Sequence, residues 1–144
     1  MWIALAAVVV ALASGGYRAM SDGRFRGTRT STTDAPSPTG PGAAWAAVLE
    51  SVPDAERGER ATLLQFSSAF CAPCRATRRI LADVAEAEPG VVHLEIDAEH
   101  HLDLVRRLDV LRTPTTLILD ASGHEVTRAA GAPHAEQVRS ALPV

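Results

Sequence analysis

Apolar and polar positions recur with two different periods along this chain, and the switches between them mark its elements. Residues 2–13 carry no polar side chain, and the first charge is Arg18. Residues 21–42 show no period. Thr and Ser crowd positions 28–33, and Pro36, Pro38, Gly40, Pro41 and Gly42 block regular structure, so this stretch reads as a solvated linker. From Ala44 onward the pattern is that of a folded domain. Trp45, Val48 and Leu49 have helical spacing within residues 44–51. Short apolar runs at 62–67 and 91–97 predict strands. Between them a helix over 75–88 presents Ile80, Leu81 and Val84 on one face, and Leu104, Val105 and Leu108 do the same within 102–108. Strands at 115–119 and 125–129 flank Asp120-Ala121-Ser122-Gly123, a hairpin turn, and a helix over 134–142 closes the chain. No further strand is expected ahead of residue 44. Strand–helix–strand alternation followed by a hairpin predicts an α/β fold, with a central mixed sheet of about four strands covered by helices on both faces.

Composition narrows the function. A length of 144 residues allows one domain plus an appendage, and 47% hydrophobic residues describe a globular chain. The net charge of −3, with no basic stripe interleaved with aromatics, argues against a nucleic-acid partner. No glycine-rich phosphate loop is present and no paired carboxylates suggest hydrolysis, so no cofactor is expected.

The N-terminal apolar run admits three readings. As a helix the stretch to Tyr17 is about 25 Å long, slightly short of a bilayer core. A membrane anchor over 1–17, a linker over 18–43 and a domain over 44–144 is the organisation adopted. Arg18, Arg24, Arg26 and Arg29 all follow the apolar run, which would hold the domain on the cytoplasmic side. A secretory signal peptide is the alternative, with Ala11-Leu12-Ala13 as its cleavage site, and would make the protein extracytoplasmic. A soluble helix is the third reading.

The candidate chemistry lies in Phe70-Cys71-Ala72-Pro73-Cys74-Arg75, which holds both cysteines of the chain. Two thiols separated by two residues serve thiol–disulfide exchange or metal binding. The strand before the pair and the helix after it place Cys71 at a helix N-terminus, where unpaired N–H groups and the macrodipole favour a thiolate. Zinc usually requires four ligands, and no second CxxC follows. His93, His100 and His101 lack a matching short spacing, so no metal is expected. Glu99, His100 and His101 read as a solvated loop.

Further motifs give this region a family likeness. Thr113-Pro114-Thr115 precedes an apolar strand, Leu94-Glu95-Ile96-Asp97 ends another, Ser122-Gly123 turns the hairpin and Gly131 follows the last strand. With FCAPC in place of WCGPC, the chain from about residue 44 resembles the thioredoxin family. The resemblance implies a thioredoxin-like fold and protein-disulfide reduction, with Cys71 as nucleophile and Cys74 as resolving thiol. It implies that Pro114 is a cis proline whose loop, with Thr113, receives an extended substrate. Ala72-Pro73 is closer to the Gly-Pro of reducing thioredoxins than to the Pro-His of strong oxidants.

Four positions depart from the family. Phe70 replaces a Trp and loses its indole donor. Gln65 stands where thioredoxins bury an Asp that moves a proton to or from the second cysteine. His93 falls where a Lys is common, and could carry proton traffic near neutral pH. Thr113 also differs from the usual apolar residue, which bears on substrate range. The expected partners are protein disulfides, an unidentified upstream reductant and the membrane, for a monomeric chain. The alternatives are a redox-silent binding module and a secreted disulfide oxidant or isomerase.

Overall fold

The computed structural model describes residues 2–21, 23–27 and 42–144. Among the described residues the elements are, in order, α1 Trp2–Ser21, β1 Arg26–Gly27, α2 Ala43–Ser51, β2 Ala61–Ser67, α3 Ala72–Ala87, β3 Val91–Asp97, α4 Leu102–Arg107, β4 Thr115–Asp120, β5 Glu125–Ala130 and α5 Ala135–Ala141. The strands form one sheet in the order β1-β5-β4-β2-β3. β2 and β3 run parallel across the α3 crossover, and every other neighbouring pair is antiparallel.

Strand periodicity divides β2 between two cores. Leu64 and Phe66 face α2 and α4 together with Ile96, Leu117 and Leu119. Leu63 faces α3 and α5 together with Ile118, Leu81, Val84 and Val138. Every residue of β2 is buried, which is why that strand reads as a continuous apolar run rather than an alternation. The hairpin between β4 and β5 requires Gly123. Its φ is +81°, and a Cβ there would lie 2.4 Å from the Trp45 Cβ.

Three expectations are corrected. The stretch taken as unbroken linker contains β1, which pairs Arg26 with Arg128 and Gly27 with Thr127. Two residues are too few to display a strand period, so only the open side of β5 selects them. Gly23 fits beside this pairing because its φ is +74° and a Cβ would meet the Ala132 carbonyl oxygen at 2.1 Å. In α2, Leu49 is 38% exposed, and Ala44 and Ala47 join Trp45 and Val48 on the buried stripe. Finally, the membrane anchor is not supported. α1 extends through Ser21, but its unbroken apolar run ends at Ala13, about 18 Å of helix against a bilayer core of about 30 Å. Among the described residues no helix is long and apolar enough to cross a membrane.

Candidate active site

The turn between β2 and α3 carries Cys71, and the first turn of α3 carries Cys74. Cys71 caps α3 with extended backbone (φ −92°, ψ 98°), and its sulfur accepts the Cys74 N–H at 3.1 Å. Pro73 lies in the first helical turn, where its missing N–H costs no bond. Cys71 and Cys74 are joined by a disulfide, with an S–S distance of 2.04 Å and Cα atoms 5.2 Å apart. Cys71 is half-buried, while Cys74, one turn into the helix, is 1% exposed. Phe70 stands almost fully in solvent.

The facing wall is the loop entering β4. The Thr113–Pro114 peptide is cis, as the sequence led us to expect. Ser68 Oγ lies 3.3 Å from Thr113 Oγ1 and ties this loop to the segment before Cys71. Thr115 Oγ1 donates to the Arg112 carbonyl at 2.7 Å, and the Gly131 N–H donates to the Pro114 carbonyl at 2.8 Å. An open cleft results, bounded by Pro73, Arg112, Thr113, Pro114, Gly131 and His134.

Beneath the disulfide runs a polar chain. Gln65 is fully buried, and its Nε2 donates to the Cys74 carbonyl at 3.0 Å. Its Oε1 lies 3.0 Å from His93 Nε2. An amide oxygen only accepts, so His93 Nε2 carries the proton. Burial lowers the His93 pKa; the Glu95 carboxylate opposes that shift and the Arg78 guanidinium reinforces it. Burial also pushes the Glu95 carboxyl up, but hydrogen bonds from Arg78 and Ser67 outweigh it and hold the group below its ordinary value. Arg78 is exposed and reaches Glu95 at 2.8 Å. Two buried hydroxyls on the same side of the sheet, Thr77 Oγ1 and Thr116 Oγ1, have no hydrogen-bond partner among the described residues. Thr116 is directly opposite Gln65 in the β2–β4 ladder.

Cys71 caps α3 and Ala72, Pro73 and Cys74 form its first turn, Thr113 and Pro114 line the cleft with Pro73, and Gln65 joins His93 to the Cys74 carbonyl, while Phe70 stands in solvent. The loop after β3 does not join them. There His100 Nδ1 lies 2.8 Å from Asp97 Oδ2, and His101 Nδ1 is 3.0 Å from the Asp97 carbonyl oxygen. Those contacts fold the loop onto its own Asp97. Sequence reasoning missed Ser68, Arg112 and His134. Only Arg112 carried any signal, through its place next to Thr113-Pro114; the other two reach the cleft through tertiary contacts.

This arrangement, a disulfide at a helix N-terminus across from a cis proline, defines a thioredoxin-type redox site. The thioredoxin family model matches residues 50–143, and the chain belongs to the thioredoxin family. It is 30% identical over 90 residues to Thioredoxin H5 of Oryza sativa subsp. japonica, covering 62% of this chain and 64% of that protein. It is 29% identical over 93 residues to Thioredoxin H4-1 of the same plant, covering 63% and 70%. Among solved structures, Fasciola hepatica thioredoxin matches with a TM-score of 0.54 at 26% identity, over 66% of this chain and 88% of that one. The thioredoxin NaTrxh from Nicotiana alata matches with a TM-score of 0.53 at 23% identity, covering 67% and 80%, a likeness of fold.

Proposed function

We propose that this chain is a protein-disulfide reductant. The observation that carries the reading is the Cys71–Cys74 disulfide at the α3 N-terminus, whose intervening Pro73 lines an open cleft together with Thr113 and Pro114. In the reduced protein the Cys71 thiolate attacks one sulfur of a substrate disulfide. The substrate S–S bond breaks, one substrate thiolate leaves, and a mixed disulfide forms at Cys71. The Cys74 thiolate then attacks the Cys71 sulfur. The second substrate thiolate leaves and the Cys71–Cys74 bond closes, so two electrons have passed to the substrate. A dithiol-type reductant must restore the pair.

Exposure supports these roles, since Cys71 is reachable and Cys74 is enclosed. The cleft beside Thr113 and Pro114 leaves room for an extended substrate segment, with Phe70 as an apolar flank. Gln65 cannot titrate. Cys74 therefore loses its proton without a buried carboxylate, and His93, joined to it through Gln65, is the nearest titratable group on the polar chain.

The test equilibrates the Cys71–Cys74 pair with glutathione and assays reduction of a model protein disulfide. A potential near about −270 mV and reduction of the substrate support the proposal, whereas a value near about −120 mV would make it an oxidant. Cys71→Ser should abolish turnover and Cys74→Ser should trap the mixed disulfide. Turnover by either variant at the unsubstituted rate would show that the pair is not the site.

A further inference from the structure

β3 ends the sheet. Among the described residues no strand pairs with its outer side, and Val92, His93, Leu94, Glu95 and Asp97 are only half-buried, while every residue of β2 is buried. The bonds at the two ends of β3 fix which backbone groups face outward. The Ala98 N–H donates to the Ser67 carbonyl at 2.8 Å, and the Gly90 carbonyl accepts the Arg60 and Ala61 N–H groups. Directions alternate along a strand, so Val92, Leu94 and Ile96 turn their amides and carbonyls toward β2. Those of Val91, His93, Glu95 and Asp97 point to the open edge. Two of these outward groups are already used locally. The Val91 N–H donates to the Glu88 carbonyl, and the Asp97 carbonyl lies 3.0 Å from His101 Nδ1.

We infer that β3 pairs antiparallel with β3 of a second copy of this chain, about a two-fold axis at Leu94. In that register His93 lies opposite Glu95 of the second copy, and Val91 opposite its Asp97. Outward groups then meet only outward groups. The two already satisfied, the Val91 N–H and the Asp97 carbonyl, fall opposite each other. The free Val91 carbonyl faces the free Asp97 N–H, and His93 and Glu95 exchange both of their bonds. A two-fold at His93 would set the satisfied Val91 N–H against a free Glu95 carbonyl. A two-fold at Glu95 would set two carboxylates together, which is destabilising. The Leu94 register instead opposes an imidazole to a carboxylate on the α3 face. On the other face it opposes Leu94 to Leu94 and Val92 to Ile96. Backbone complementarity selects this alignment, and it keeps like charges apart, in one continuous sheet through both copies. Each copy's Glu95 then stands beside the His93 that contacts Gln65, so the second copy adds a carboxylate to the polar chain under the disulfide.

Sedimentation equilibrium of the full chain tests this. A reversible monomer–dimer equilibrium is expected. His93→Glu should raise the dimer Kd by roughly tenfold, because it introduces two like-charged pairs across the axis. Adding Glu95→His to it should restore the dimer by exchanging the partners in the same register. Should His93→Glu not fold by circular dichroism, Leu94→Cys in a Cys71→Ser/Cys74→Ser background replaces it. Its introduced thiols lie on the axis and should yield a covalent dimer under mild oxidation. A monomer at every concentration overturns the inference. So does a dimer that ignores His93→Glu, or one that the double exchange fails to restore, or the absence of the covalent dimer.

Discussion

Cys71 and Cys74 lie three positions apart yet occupy different environments, because the helix begins between them. Cys71 caps α3 and stays half-buried; Cys74 is enclosed on the packed face, where Gln65 holds its carbonyl. His93 is the residue through which pH acts on this pocket. Burial favours its neutral form, so its folded pKa lies below its unfolded one. As pH falls through the unfolded value of about 6.5, the unfolded chain takes up a proton that the native state resists, and stability declines. His93→Gln removes that linkage while still offering Gln65 an amide donor. Urea midpoints followed from about pH 7.5 to about pH 5.5 should therefore fall more for the unsubstituted protein than for the variant. Glu95 does not interfere. Its folded pKa is held low, so its contribution is lost only below the carboxylate range, around pH 4.3. Equal slopes in the two proteins would remove His93 from the account.

α3 shows how one element serves both packing and chemistry. Its buried stripe is Cys74, Thr77, Leu81 and Val84, and the first two lie at the disulfide end. Leu81 closes the core beneath α5, and Leu81→Ala should cost about 2–5 kcal/mol, through lost burial and the cavity left behind. Thr77 should respond in the opposite sense. Its hydroxyl is buried without a partner among the described residues, and Thr77→Val keeps the shape while removing the desolvated oxygen. A gain of about 1 kcal/mol is expected, read from thermal unfolding of both variants. A loss on Thr77→Val would show that the hydroxyl is hydrogen-bonded in solution.

At the scale of the whole molecule, both cores are built, among the described residues, from α2 onward, apart from Phe25, which packs at the margin of the α3–α5 core. A fragment of residues 42–144 should therefore fold and keep thiol–disulfide exchange. It should melt below a fragment starting at residue 23, because it lacks Phe25, the β1 pairing on β5 and the Gly23 N–H bond to the Ala130 carbonyl. Calorimetry of the two fragments checks the difference, and insoluble or unfolded 42–144 would show that the leading segment belongs to the domain.

The sequence alone determined the elements of the domain and the identity of its thiol pair. Apolar periods located α3, β3 and α4, because those segments bury one face and repeat the signal over several residues. The spacing of Cys71 and Cys74 and the Thr113-Pro114 pair were legible because each motif is local. What lay outside that reach depends on neighbours distant in the chain. β1 is too short to show a period and exists only through β5. Alanines carry half of the buried stripe of α2 with little hydrophobic weight. The reach of Arg78 to Glu95 follows from α3 lying over β3. Gln65 and His93 could be singled out from their positions, but their contact and the bond to the Cys74 carbonyl required the parallel register of β2 and β3, which sets Leu63 beside His93 and Gln65 beside Glu95. The open edge of β3, likewise, is a property of strand order, and strand order is settled by which faces can be covered at once.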